Sequence, residues 1–185
     1  SAAHVMAEAI QSVFPGAMLV YGPPVENGFY YDIALPDGVS ISTDDFERIE
    51  TIMDEIIKSD RPFTRCDLST VEGLKRLESE GSKYKLDNAT RAIDGGAESL
   101  SWYATGTTGE DWDDLCAGPH VPATGRIGAA KMMSVAASYW HGDANSDHLT
   151  RVYGTAFPDK KRLAAHLGQL EEARKRDHRV IGRKL

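Results

Sequence analysis

Residues 100–157 hold four strand-like runs: Leu100–Thr105, Trp112–Cys116, Lys131–Trp140 and His148–Phe157. Each is short and rich in β-branched or aromatic residues, and turn sequences bound them. Gly-Thr-Thr-Gly follows the first run and Gly-Asp-Ala-Asn-Ser-Asp precedes the last. The second half of the chain therefore predicts one antiparallel sheet.

Helices are written into the rest. Val5, Met6, Ala9, Ile10 and Val13 make a helical stripe over residues 2–13, stopped by Pro15-Gly16. Ala17–Tyr21 and Gly28–Leu35 read as strands on either side of a Gly-Pro-Pro turn. Ser42 or Thr43 caps a helix whose apolar face is Phe46, Ile49, Ile52, Met53, Ile56 and Ile57. Pro62–Leu68 is a short strand, and Ser69-Thr-Val-Glu72 is a capping box that opens a helix to about Ser79. A second short helix is expected over Gly81–Ile93. Pro158, at a helix N1 position, starts a last helix that runs toward Leu185. Its stripe of Leu163, Leu167, Leu170 and Ala173 dissolves into Arg-Lys-Arg-Asp-His-Arg, as in an exposed connector. The expected class is α+β: an antiparallel sheet packed with helices, plus a C-terminal linker helix. Residues 1–157 form one domain and residues 158–185 the linker.

Size and composition agree. A chain of 185 residues fits about one domain. No stretch approaches the roughly 18–20 apolar residues of a membrane span, so no membrane partner is expected. Cys66 and Cys116 lie far apart, which disfavours a disulfide scaffold and favours a reducing cytoplasm.

The most informative short motif is Cys116-Ala-Gly-Pro-His120. A turn at this point brings a soft sulfur and an imidazole to one locus, as a metal site or a polar catalytic pocket requires. Cys116 as a small buried hydrophobe fits the spacing equally well. His4 reads as a partly buried helix histidine, Lys85 as a surface lysine, and Asp114 as one acid of a solvated run. Tyr30 and Tyr31 alternate across a strand, so one faces the core and the other a cleft. His141, His148 and His166 lack partners in spacing and read as structural or exposed.

These residues converge on a known pattern. They are Ser-Ala-Ala-His4, Gly22-Pro-Pro-Val-Glu-Asn-Gly-Phe-Tyr-Tyr-Asp32, Tyr84-Lys85 and Asp114-Leu-Cys-Ala-Gly-Pro-His-Val-Pro122. Ser138-Tyr-Trp-His-Gly-Asp143, Arg151-Val-Tyr-Gly-Thr-Ala-Phe157 and Arg176-Asp-His-Arg-Val-Ile-Gly182 follow. In this order and spacing the chain resembles the editing domain of threonyl-tRNA synthetases with its linker helix. The editing domain of alanyl-tRNA synthetases shares the paired-histidine and Cys-x3-His logic, but the Asn-Gly-Phe-Tyr-Tyr-Asp and Tyr-Gly-Thr-Ala segments favour the threonyl branch.

The resemblance implies a proofreading hydrolase that removes serine from mischarged threonine tRNA by attack of water on the aminoacyl ester. A freestanding factor acting in trans, or a noncatalytic module that binds the acceptor end, are the alternatives. It implies that His4, Lys85, Cys116 and His120 carry catalysis, with Asp114 and Tyr31 binding substrate. His4 or His120 would position the water, Lys85 would stabilise the oxyanion or hold phosphate or ribose, and Asp114 would meet the substrate ammonium. The family pattern begins His-Ser-x-x-His, and here the chain begins at the Ser. His4, Cys116 and His120 are thus the possible zinc ligands, three of a pattern of four, and no metal or other cofactor is expected. The partners implied are the acceptor end of threonine tRNA and a synthetic domain that binds ATP, which this chain is not expected to contain. By itself the chain is not expected to make threonyl-tRNA.

The net charge of −7 argues against RNA only until it is divided along the chain. Residues 1–159 carry 12 basic and 25 acidic side chains, whereas residues 160–185 carry 9 basic and 3 acidic. An acidic body with a basic helix does not exclude a nucleic-acid partner, because the local field decides.

Overall fold

Alanine sets the position of the first helix, α1 (Ala2–Val13). Eight of its residues are buried, among them Ala2, Ala3, Ala7 and Ala9. Small side chains on most sides let a helix lie close to its neighbours, here a sheet and a second helix. The computed structural model describes residues 1–182, and α1 in it packs on both. The sheet has five strands: β1 (Met18–Tyr21), β2 (Pro24–Val25), β3 (Gly28–Ala34), β7 (Ala129–Tyr139) and β8 (His148–Phe157). Their order is β1-β3-β8-β7, with β2 beside β3, and every pairing is antiparallel. The second helix, α2 (Phe46–Lys58), lays Ile49, Met53, Ile56 and Ile57 into the same core.

A second sheet has three strands, β4 (Phe63–Ser69), β5 (Ser99–Thr105) and β6 (Asp113–Leu115), in that order. Two helices cover it. α3 (Thr70–Glu80) starts at Ser69, whose hydroxyl accepts from the Glu72 amide at 3.2 Å. α4 (Lys83–Asp94) starts at Ser82, whose hydroxyl accepts from the Lys85 amide at 3.3 Å. Leu77 of α3 and Ala89 of α4 pack with Leu100 and Trp102 of β5. At its other end α4 places Tyr84 against Val20, Ala34 and Leu149 of the five-stranded sheet. One helix thus spans the seam between the two sheets.

Three expectations need correction. The four strand-like runs belong to two sheets: β5 and β6 pair with β4, whereas β7 and β8 pair with β3. Alternation marks a run as a strand but does not choose its partner, and β4 occupies the edge of β5 that β7 would need. The Gly-Pro-Pro stretch is not only a turn, because Pro24 and Val25 pair with Phe29 and Gly28. The last helix, α5 (Lys160–Gly182), begins two residues after Pro158. Asp159 caps it, accepting from the Arg162 amide at 2.7 Å. The rest of the linker expectation, residues 183–185, lies outside the described residues. Among the described residues no helix is long and apolar enough to cross a membrane.

Candidate active site

A carboxylate placed in an apolar seam must find donors or lose its charge. Asp114, on β6, is 5% exposed. It meets Lys85 from α4, His4 from α1 and Tyr31 from β3. Capping by Ser82 fixes Lys85 in the first turn of α4. The Lys85 Nζ lies 3.0 Å from Asp114 Oδ1 and 3.2 Å from Oδ2, and it donates to the Tyr31 hydroxyl at 2.9 Å. That hydroxyl in turn donates to Asp114 Oδ2. The His4 Nε2 stands 3.4 Å from the same oxygen. Three elements therefore converge on one buried acid carried by a fourth.

The next turn supplies a thiol and a second imidazole. Cys116 follows β6, and its Sγ accepts from the Gly118 amide at 3.3 Å. His120 Nε2 lies 3.3 Å from that sulfur. The turn needs glycine at 118. Its φ is +72°, and a Cβ there would lie 2.4 Å from the Tyr103 hydroxyl. His120 is stacked on Phe63 at 5.0 Å between centroids and stands 4.3 Å from the His4 ring and 4.4 Å from the Tyr103 ring.

These contacts set the charges. Burial would raise the Asp114 pKa, but Lys85, His4 and Tyr31 together hold it well below the usual carboxylate range. Burial would depress His4, yet its bonds to Asp114 and Cys116 leave it raised above the ordinary imidazole value. His120 goes the other way, pushed down to about 3 by burial and by the charge on His4. The Cys116 thiol is lowered: burial opposes ionisation, but the bond from His4 outweighs it. Burial and the neighbouring Asp114 push Tyr31 well up, so its hydroxyl stays protonated.

Five of the six expected site residues line one cleft of about 650 Å³: His4, Tyr31, Lys85, Asp114 and Cys116. The sixth, His120, stands behind Cys116. Tyr31 is both a core residue and a site residue, because it belongs to the buried cluster of the five-stranded sheet while its hydroxyl reaches Lys85. His141 lies on the cleft rim, 3.3 Å from Asp87, whereas His148, edge-on to Tyr139, and His166, tilted against Phe157, do not line it. Sequence reasoning gave no role to Asp32 and Arg151, which pair across β3 and β8 and line the cleft. Both stand inside quoted motifs, and a charged residue in the middle of a sheet strand was the available signal.

His4, Cys116 and His120 offer ligand atoms that lie within 4.8 Å of one another, and the Nδ1 atoms of both histidines are buried without a hydrogen-bond partner. Two imidazoles and a thiolate are a zinc-type donor set, which leaves one of four positions for another ligand. The same locus already faces Lys85, and His4 is engaged by Asp114, so a dication would meet a cation and compete for the one buried carboxylate beside it.

Residues 103–153 match the family described as threonyl and alanyl tRNA synthetase second additional domain. The whole chain also aligns with threonine–tRNA ligases. It is 47% identical over 184 residues to that of Anaeromyxobacter dehalogenans, covering 100% of this chain and 27% of the relative. It is 48% identical over 185 residues to that of Oleidesulfovibrio alaskensis and 49% over 185 to that of Rubrobacter xylanophilus, with the same shares covered. The chain thus spans about a quarter of the length of the curated relatives it matches, 27% in each of these three.

Proposed function

We propose, for a chain whose residues 103–153 match the threonyl and alanyl tRNA synthetase second additional domain and whose whole length aligns with threonine–tRNA ligases, that its cleft hydrolyses serine from mischarged threonine tRNA. The observation that carries this reading is the convergence of His4, Lys85 and Tyr31 on buried Asp114 at the cleft wall. The partners proposed with it are the acceptor end of that tRNA and a synthetic domain in the same enzyme, acting in the cytoplasm.

The chemical problem is that serine is threonine without one methyl group. A pocket that admits threonine cannot sterically refuse something smaller, since one methyl is worth only about 1–3 kcal/mol of discrimination. A second site that hydrolyses the smaller product removes the error. Ester hydrolysis needs an oriented water, an acceptor for its proton and a cation near the developing oxyanion. His4 is the base in this reading, with a carboxylate that steadies its Nε2. His120, with its pKa near 3, is a poor base and serves as the wall that holds Cys116 and the His4 ring. Lys85 supplies the positive charge. Asp114 already accepts from three side chains, so it acts as the positioning residue for His4 and Lys85 rather than as the seat of the substrate ammonium. Residues 1–157 carry this chemistry, and residues 158–185, with α5 from Lys160, are the linker. A zinc ion held by His4, Cys116 and His120 would supply an electrophile, but the reaction proposed does not require one.

The test is a deacylation assay with Ser-tRNA and Thr-tRNA, run on this chain and on the chain with a His placed before Ser1. Serine release at least tenfold faster than threonine release is expected. Equal rates, or tRNA binding with no release from either protein, would sink the proposal. Dialysis against a chelator is expected to leave the rate unchanged. Stoichiometric zinc in the purified chain together with loss of rate on dialysis would overturn the metal-free reading.

A further inference from the structure

The outer face of the five-stranded sheet is only half covered. Tyr84 of α4 packs over Val20, Ala34 and Leu149 at one end. Strand alternation puts Tyr21, Tyr30, Asp32, Arg151 and Tyr153 on the same face beyond it. Arg151 is held firmly there. Its Nε and Nη2 donate to the two Asp32 oxygens at 2.8 and 2.9 Å, and its guanidinium lies 4.1 Å over the Tyr30 ring. The Tyr30 and Tyr153 rings are 5.7 Å apart, and Tyr21 is 56% exposed.

This surface continues the catalytic cleft. Tyr21, Tyr30, Asp32 and Arg151 line the same cavity as His4, Tyr31 and Lys85. The cavity reaches both faces of β3 at the gap between its two edge partners, where Gly22 follows β1. A Cβ on Gly22 would lie 2.3 Å from the Tyr31 ring. We infer that the Tyr30–Arg151–Tyr153 surface is a stacking platform for the unpaired ribonucleotide that precedes the terminal adenosine of the acceptor end.

The chemistry favours that occupant. Single-stranded RNA is bound by stacking bases on aromatic and guanidinium planes, with cations beside the phosphates. Residues 1–159 carry 25 acidic and 12 basic side chains, so a phosphate leaving the cleft meets mostly repulsion. Arg151, fixed by Asp32 and 29% exposed, therefore serves the site through its guanidinium plane on the cleft wall rather than through net charge.

The inference rests on the proposed substrate, and its test separates the two. The probe is a short single-stranded RNA ending in C-C-A, with 2-aminopurine in place of the residue before the terminal adenosine. Wild-type chain is expected to bind it and quench the fluorescence. Tyr30→Leu should weaken binding about tenfold and abolish the quench, while hydrolysis of 3′-seryl-adenosine, which lacks that residue, stays within twofold. Arg151→Lys keeps a cation opposite Asp32 but loses the plane, and should weaken binding in the same direction. No binding by wild type, Tyr30→Leu affinity within twofold of it, or an equal loss on seryl-adenosine would overturn the platform. Normal binding and quench with no hydrolysis of either substrate would leave the platform standing and remove the proposed function instead.

Discussion

Lys85→Met is expected to lower Ser-tRNA hydrolysis a hundredfold or more and to destabilise the fold by about 3–5 kcal/mol. The two effects have one source. The Lys85 Nζ is 3.0 Å from Asp114 Oδ1, and both side chains are less than 10% exposed. Removing the cation takes the positive charge from the reaction and leaves a buried carboxylate with its largest stabilising partner gone. The double variant Lys85→Met, Asp114→Asn removes the uncompensated charge, so urea unfolding should recover most of the loss while activity stays absent. Recovery of activity in the double variant would show that Lys85 acts only on the fold.

The same pair predicts a pH dependence. Asp114 titrates below its unfolded value in the folded chain. It therefore contributes stability that is present above about pH 4 and is lost as pH falls toward the folded pKa. In Lys85→Met the Asp114 pKa rises, and this acid-side loss should shrink. Urea midpoints at pH 3, 4 and 6 for both proteins check it; equal slopes would mean that Lys85 does not set the ionisation of Asp114.

Gly118→Ala is expected to remove activity and to cost about 2–5 kcal/mol, from a left-handed backbone and an overpacked contact together. The Cβ would meet the Tyr103 hydroxyl at 2.4 Å, and relief of that clash moves the turn that carries Cys116 and His120. Gly81→Ala is the control. Gly81 has φ +70°, almost the same as Gly118, but its Cβ would meet nothing within 4 Å. It should cost only about 1 kcal/mol and leave hydrolysis unchanged. If both variants lose the same stability and keep activity, crowding at Gly118 is irrelevant to the site.

Much of this was legible in the sequence, for reasons that differ by residue. The α2 stripe and the Ser69 cap are local signals, and both elements formed where their residues placed them. The Tyr30–Tyr31 alternation put the two rings on opposite faces of β3, but both line the cleft, because the cavity reaches both faces there. Lys85 read as a surface lysine from its neighbours alone; only the family resemblance drew attention to it, because its burial comes from a helix end pointing into the seam. Partner choice among strands was hidden, since alternation is the same whichever sheet a strand joins. Asp32 and Arg151 are 119 residues apart, and no local pattern announces that they meet.

The seam spanned by α4 has a consequence for how such a domain can drift over time. Each sheet owns a buried cluster, and neither cluster includes the Asp114 carboxylate or the Lys85 ammonium. Tyr31 rides on the larger unit, Asp114 on the smaller, and Lys85 on the helix between them. The site works as a caliper on the gap between two cores. Substitutions that repack either core at constant spacing and leave Tyr31 in place preserve its contacts. Those that widen the gap break contacts of about 3 Å, even though each core stays packed. For the hydrolysis proposed above, the distance between the two units is therefore the quantity to hold constant.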